Sequence, residues 1–415
     1  MRLLYTSGIR LYALGVRVAA LFGNPKAKQW VRGRQNQKGR LAEKSMGSDD
    51  AAEPWIWFHA ASLGEFEQGR PVIEALKREF PQYKILLSFF SPSGYEIRKD
   101  YPLADEVLYL PTDTPRHASQ WVQRHHFVAA FFIKYEFWFN YMRALKQAGV
   151  PLFYISLILK PDSYFFRWYG SWFRKQLSAV SHFFVQDGPT AEALKAHGMD
   201  NVTVCGDTRF DRVAAIAQQA QPFPDIERFI AGRKCVIAGS TWPPDEQLLA
   251  GFLPKLPEDY CLIIAPHDVS ASHVDKIKAA FPDSRCYSGL VAAKPSKILV
   301  VDTIGILSQL YQYAAFVYIG GGFGVGIHNI QEPVTFGCPV VFGPKYKSFK
   351  EAVDLVALQG AFSVSRQEEL DAVFGRLIHD EAFRNQASEV CLNYLKSQVG
   401  ATEIILKGFK KALKL

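Results

Sequence analysis

The densest group of chemically useful residues runs from Gly320 to Glu351, GGGFGVGIHNIQEPVTFGCPVVFGPKYKSFKE. The apolar run before it, Ala315 to Ile319, reads as a strand, Ile330 to Phe336 as the opening of a helix, and Cys338 to Phe342 as the next buried strand. A glycine loop between strand and helix lets backbone N–H groups approach an anion at the helix N-terminus. Glu332 lies just inside that helix start, where a carboxylate can accept hydrogen bonds from ribose hydroxyls. The same residues also suit a tight turn with a capping Glu, because a glycine run is a weak motif.

Four further stretches have similar potential. In His59-Ala-Ala-Ser-Leu-Gly-Glu65-Phe-Glu67, a strand gives way to a helix, and Glu65 is placed to act as a general base or as a first-turn residue that stabilises the helix dipole. Glu67 competes for the role but reads as a helix-surface residue, and His59 as the buried end of a strand. In Lys134-Tyr-Glu136-Phe-Trp-Phe-Asn140, Glu136 again follows an apolar run, so it can contact acceptor hydroxyls or support the Glu65 loop. Lys160, Arg167 and Lys175, with Arg209 in GDTRFD, suit an anionic acceptor or simply a solvated face; Arg209 is the better placed of them. In AGSTWPPDE, Ser240 and Thr241 can hold a phosphate or cap a helix, and in APHD His267 is within reach of a phosphate or a base.

Strands are expected at Trp55–His59, Tyr83–Phe89, Glu106–Leu110, Phe127–Ile133, Leu152–Leu157, His182–Gln186 and Val202–Cys205. A second series is expected at Cys235–Ala238, Cys261–Ala265, Ile298–Val301, Phe316–Ile319 and Pro339–Phe342, with helices from Leu370 to Leu415. Helical stretches between strands argue for open, mostly parallel sheets covered on both sides. The expected architecture is therefore α/β: two Rossmann-like domains facing a cleft, the GT-B arrangement. Residues 45–212 form the first domain, 213–230 a linker around QQAQPFPD, and 231–415 the second domain with its terminal helices.

The net charge of +8 is concentrated at one end. Residues 1–44 hold ten Lys or Arg against a single acid, Glu43, so the body is close to neutral and a nucleic-acid groove across it is not expected. Leu3 to Phe22 is apolar but broken by Arg10 and Arg17, too short of uninterrupted apolar residues for a span of ~20. It reads as an N-terminal helix lying on an anionic membrane surface, or as one docked on the protein body. The six cysteines are scattered singly and show no metal-binding spacing, so they read as reduced core residues of a cytosolic protein, and no metal is expected.

Taken together and in this order, HAASLGEFEQG, KYEFWFN, GDTRFDR, AGSTWPPDE, APHD and GGGFGVGIHNIQEPVTFGCPVVFGP resemble the 3-deoxy-D-manno-octulosonic acid (Kdo) transferases of lipopolysaccharide assembly. The resemblance implies an inverting GT-B glycosyltransferase that needs no metal or other cofactor. It would move Kdo from CMP-Kdo to a tetra-acylated lipid A precursor at the cytoplasmic face of the inner membrane. Carried over by position, Glu65 would be the base. Ser240 and Thr241 would hold the CMP phosphate with Gly321 and Gly322 lining the same pocket, His267 would lie nearby, and Asn329 and Glu332 would bind the nucleotide. Glu136 and Arg209 would serve the acceptor side. The chain departs from the family pattern where Pro266 directly precedes His267, a place at which many members carry Arg, and where Ser348 precedes Phe349, a place at which Asn is common. The run Ser156 to Arg167 is also unlike the commoner serine- and arginine-rich version. The alternatives are a GT-B transferase using another nucleotide-sugar on a lipid, a nucleotide-sugar epimerase, or a catalytically silent membrane-surface protein.

Overall fold

Long apolar runs without polar alternation demand strands buried on both faces, and the chain meets that demand twice. The structure, a computed structural model, describes residues 1–43, 53–160, 162–292 and 296–415. The chain forms two compact units, Met1–Asp211 with Gly400–Leu415, and Arg212–Val399.

The first unit contains β1 (Pro54–Ala60), β2 (Lys84–Phe89), β3 (Glu106–Tyr109), β4 (His126–Ile133), β5 (Leu152–Leu157), β6 (His182–Val185) and β7 (Val202–Val204). All pair in parallel, in the order β3-β2-β1-β4-β5-β6-β7. Alternate residues of β1 feed opposite cores: Trp55 and Trp57 one layer, Ile56, Phe58 and Ala60 the other. The second unit contains β8 (Lys234–Thr241), β9 (Tyr260–Pro266), β10 (Arg285–Cys286), β11 (Ile298–Val300), β12 (Ala314–Ile319), β13 (Val340–Phe342) and β14 (Ala361–Ser363). Its order is β10-β11-β9-β8-β12-β13-β14, again all parallel. The first sheet reverses its strand order between β1 and β4 and the second between β8 and β12, with β11 inserted between β9 and the edge strand β10. At such a reversal the crossovers part to opposite faces and leave a crevice beyond the strands' carboxyl ends.

Two boundaries differ from those read in the sequence. The supposed linker 213–230 is mostly helical, with Thr208–Gln218 crossing the division between units and Pro224–Ile230 following it. The last helix, Ala401–Leu413, packs on the first unit rather than the second. Phe409 is fully buried there against Phe131, Phe153 and Phe80, and the Asp211 carboxylate accepts the backbone N–H groups of Gly400 and Thr402, both at 2.6 Å. Asp211 thus satisfies orphan donors at that helix's start.

The N-terminal arm folds as α1 (Arg2–Leu21) and α2 (Pro25–Glu43). α2 docks on the protein body: Trp30 is buried, and Arg34 donates to the carbonyls of Phe90 at 2.8 Å and Leu110 at 3.0 Å while its guanidinium lies 3.8 Å above the Trp30 ring. Arg34 is therefore committed to the fold and not to a lipid surface. α1 behaves differently. Leu3, Leu4, Leu11, Leu14, Leu21 and Phe22 are all exposed, and the helix is tied down mainly near its start, where the Tyr5 hydroxyl donates to buried Asp113 at 2.6 Å. Among the described residues, no helix is long and apolar enough to cross a membrane.

Asp113 also accepts the backbone N–H groups of Asn140 and Tyr141, both at 3.1 Å. Burial nevertheless pushes its carboxyl up to about 6. A carboxyl raised above its ordinary value holds its proton more tightly folded than unfolded. Its contribution therefore favours the folded form below about pH 4 and is lost as pH rises through 6. Amide exchange in α1, corrected for intrinsic rate, is expected to show more protection at pH 5 than at pH 8. Tyr5→Phe is expected to remove about 1–3 kcal/mol of that protection while leaving β1 unchanged.

Candidate functional site

In the first unit, the loops after β1 and β4 flank the strand-order reversal. The β1 loop leads into α3 (Leu63–Glu79), with Ser62 at the N-cap and Glu65 in the first turn. The Ser62 hydroxyl donates to the half-buried Glu65 carboxylate. The spacing, Ser then Glu three residues on, is that of a capping box, but neither side chain bonds the helix backbone; Glu65 stands in the first turn, where a carboxylate suits the helix dipole, and where the crevice opens. Tyr135, half exposed beyond β4, lies close enough that Glu65, after burial, raises its hydroxyl above the ordinary range. Glu67 is turned to Arg98 at 2.8 Å and Arg70 at 3.7 Å, as expected of a helix-surface residue. Gly69 lets α3 approach β4, since a Cβ there would lie 2.2 Å from the Ile133 side chain.

Glu136 is the partly exposed end of a relay that runs into the core. Its carboxylate lies 3.1 Å from His59 Nε2 and 2.7 Å from the Trp138 indole nitrogen. His59, fully buried, has its Nδ1 2.8 Å from the Ser88 hydroxyl, which in turn accepts from the Trp57 indole at 2.7 Å. One assignment satisfies every group in line: Trp57 donates to Ser88, Ser88 to His59 Nδ1, and His59 Nε2–H together with Trp138 N–H to Glu136. The Glu136 backbone carbonyl also accepts from Tyr154 at 2.7 Å. Of the roles open to Glu136 in the sequence, these contacts match support of the loop. Arg209 opens the helix Thr208–Gln218 and forks onto Asp207 at 2.6 and 2.9 Å.

In the second unit, the loops after β8, β9 and β12 converge at the other reversal. Gly320 is pressed against the β8 turn: a Cβ would fall 2.3 Å from the Ser240 carbonyl and 2.6 Å from Thr241 Cα. Ser240 itself takes a left-handed backbone at φ 54, as do Lys134 and Ser156 at or beside the ends of β4 and β5. Left-handed residues other than glycine cost energy and gather at ligand sites.

The structure separates the Ser240–Thr241 pair. Thr241 is fully buried and its hydroxyl donates to Glu246 at 3.0 Å, so that hydroxyl cannot reach a phosphate. Half-buried Ser240 is the member placed to do so. The Gly321 N–H is likewise spent, donating to Asp245 at 2.9 Å, and Gly322 packs backbone to backbone against Gly343. Both glycines build the loop. Asn329 is exposed and donates to Glu332 at 3.1 Å; burial raises the Glu332 carboxyl, with Asn329 and Arg212 pulling it back. His267 is exposed beyond β9 and stacks between two other rings, Trp242 and His328.

The residue that sequence reasoning missed here is Asp245. Buried in the first turn of the helix Pro243–Phe252, its carboxylate collects the N–H groups of Trp242 and Gly321, each at 2.9 Å, and the Tyr318 hydroxyl at 2.8 Å. It binds the β8 loop to the β12 loop. The Trp-Pro-Pro-Asp run, with prolines opening a helix and an acid third in it, was the available signal.

Residues 33–212 match the family model described as 3-Deoxy-D-manno-octulosonic-acid transferase (kdotransferase). Among curated proteins, the chain is 26% identical to the 3-deoxy-D-manno-octulosonic acid transferase of Aquifex aeolicus over 76% of this chain and 83% of that one. It is 25% identical to the same enzyme of Chlamydia muridarum over 83% of each. Among solved structures, it resembles the UDP-GlcNAc 2-epimerase of Neisseria meningitidis at TM-score 0.59 and 14% identity, over 86% of this chain and all of that one. The corresponding epimerase of Methanocaldococcus jannaschii follows at TM-score 0.52 and 13% identity, over 83% and 98%. The epimerase likenesses show the shared fold, two parallel-sheet α/β domains of GT-B type. The family match over residues 33–212 and the curated relatives bear out the resemblance read in the motifs: the chain is similar to Kdo transferases, which are glycosyltransferases, over most of its length.

Gly320→Ala tests the loop geometry. Its Cβ would meet backbone atoms that cannot swing aside, so a loss of about 1–3 kcal/mol in thermal or denaturant unfolding is expected, with weakened nucleotide binding.

Proposed function

We propose that the protein transfers Kdo from CMP-Kdo to a tetra-acylated lipid A precursor, with inversion at the anomeric carbon, on the cytoplasmic face of the inner membrane. The observation that carries this is the Glu65 carboxylate, half-buried at the strand-order reversal of a matched Kdo transferase domain. In the reaction, an acceptor hydroxyl attacks the anomeric carbon of Kdo, its proton passes to Glu65, and the bond from that carbon to the phosphate oxygen breaks to release CMP. The His59–Glu136–Trp138 relay holds the β4 loop that borders Glu65, and Arg209 supplies positive charge toward a phosphorylated acceptor. Ser240 and His267 meet the donor phosphate, Gly321 and Gly322 give the pocket its close backbone, and Asn329 and Glu332 take the ribose. The chemistry asks for one base and a good leaving group, so no metal or cofactor is assigned. The chain's own α1, with exposed leucines and the exposed Arg10 and Arg17, suits an anionic bilayer surface where a lipid acceptor resides.

Glu65→Gln keeps the shape and the Ser62 contact but removes the base. Transfer is expected to fall by about 10²-fold or more, with CMP affinity nearly unchanged in titration calorimetry. Near-normal turnover would contradict the assignment. For the membrane contact, the double variant Leu4→Glu with Leu11→Glu is expected to lose most co-sedimentation with anionic vesicles while keeping the wild-type unfolding midpoint, since both side chains are exposed.

A further inference from the structure

Three polar rings from three different loops are stacked beyond the carboxyl ends of β9, β8 and β12. Trp242, 40% exposed, lies 4.7 Å from His267 at an interplanar angle of 25°, and His267 lies 4.6 Å from His328 at 24°. The Trp242 indole N–H also donates to His328 Nε2 at 3.0 Å. Apolar packing does not account for this group, since all three rings are partly open to solvent and two carry ionisable nitrogens.

The hydrogen bond fixes the chemistry of the pair. A His328 that accepts at Nε2 carries its proton on Nδ1, and taking a second proton would break the bond to Trp242. Burial and the neighbouring His267 also hold His328 toward its neutral form, with Asp245 opposing them. Of the two imidazoles, His267 is thus the one placed to carry charge. Its ring lies between the Trp242 indole and the His328 imidazole, stacked on both. Asp268, beside it in the chain, has its carboxylate occupied by the Ser270 N–H and hydroxyl. Asp245 serves Trp242, Gly321 and Tyr318, and His273 on the helix Ala271–Ala280 is paired with Glu246 at 3.0 Å. Pro266 stands directly before His267, so no basic side chain from that position shares the task.

We propose that Trp242 is a positioning residue of the donor site: it locks His328 as the Nδ1–H tautomer and holds His267 face-on, so that His267 supplies the positive charge that meets the donor's anionic phosphate linkage. This rests on the donor reading above and specifies which side chains meet the phosphate.

The test compares binding of CMP and of cytidine to the full chain at about pH 6 and about pH 8, the interval in which imidazole changes charge. The CMP-to-cytidine affinity ratio isolates the phosphate, and comparing variants at each pH cancels the nucleotide's own titration. In His267→Gln the ratio is expected to fall by about tenfold at the lower pH and to lose the pH dependence that the wild type adds. Trp242→Ala is expected to match it. Trp242→Phe keeps the stacked face but frees His328 Nε2, so its ratio is expected to be partly restored, with a steeper pH profile as a second imidazole takes up a proton. A Trp242→Ala variant with the wild-type ratio and profile overturns the inference alone. Wild-type protein that binds a uridine nucleotide but neither CMP nor cytidine overturns the donor reading and this inference with it.

Discussion

The constraint on which the molecule depends is the reversal of strand order in two all-parallel sheets. Parallel strands need crossover helices, and right-handed crossovers on either side of a reversal must leave to opposite faces. The loops at that point cannot cover one another, so polar backbone and side chains remain open at the carboxyl ends of β1 and β4, and of β8 and β12. Glu65 and Ser240 both occupy such positions. Their placement follows from topology before any side-chain contact is considered.

Loops left open in this way must be held by something other than a hydrophobic core, and both units use a carboxylate, partly buried in the first (Glu136) and fully buried in the second (Asp245). Glu136 gathers His59 from β1 and Trp138 from the β4 loop; Asp245 gathers Trp242 from the β8 loop and Tyr318 and Gly321 from the end of β12 and its loop. A buried carboxylate is costly alone, but with donors in place each charge-assisted bond returns about 1.5–3 kcal/mol. In each case the carboxylate ties together the loops on the two sides of a reversal. This costs the site one acidic group and, in the second unit, the Gly321 N–H, but it fixes the positions of Ser240, His267 and His328.

The strands were legible because their apolar runs are nearly continuous: Leu152–Leu157 is a strand over the full range expected from sequence. β10 and β14 were not, being two and three residues long at sheet edges, with no run to detect. Periodicity marked the terminal helices, but it could not show that Phe409 is buried in the first unit, because attachment depends on contacts such as Phe409 with Phe131, distant in sequence. At the site, residue types identified the right loops without dividing their labour. Ser240 and Thr241 look alike in sequence, yet a strand end turns one toward solvent and buries the other against Glu246. Trp242 and His328 lie in the stretches marked in the sequence but carry no assigned role there, because their roles arise from stacking across separate loops.

The most direct test of Kdo transfer is the identity of the product. The wild-type protein would be offered CMP-Kdo, generated in place, and a tetra-acylated lipid A precursor, with a panel of UDP-sugars in parallel, and the lipid read by mass spectrometry. Kdo transfer predicts one or more Kdo mass increments from CMP-Kdo and none from the UDP-sugars. Folded protein that adds no Kdo but transfers a sugar from a UDP donor would contradict it.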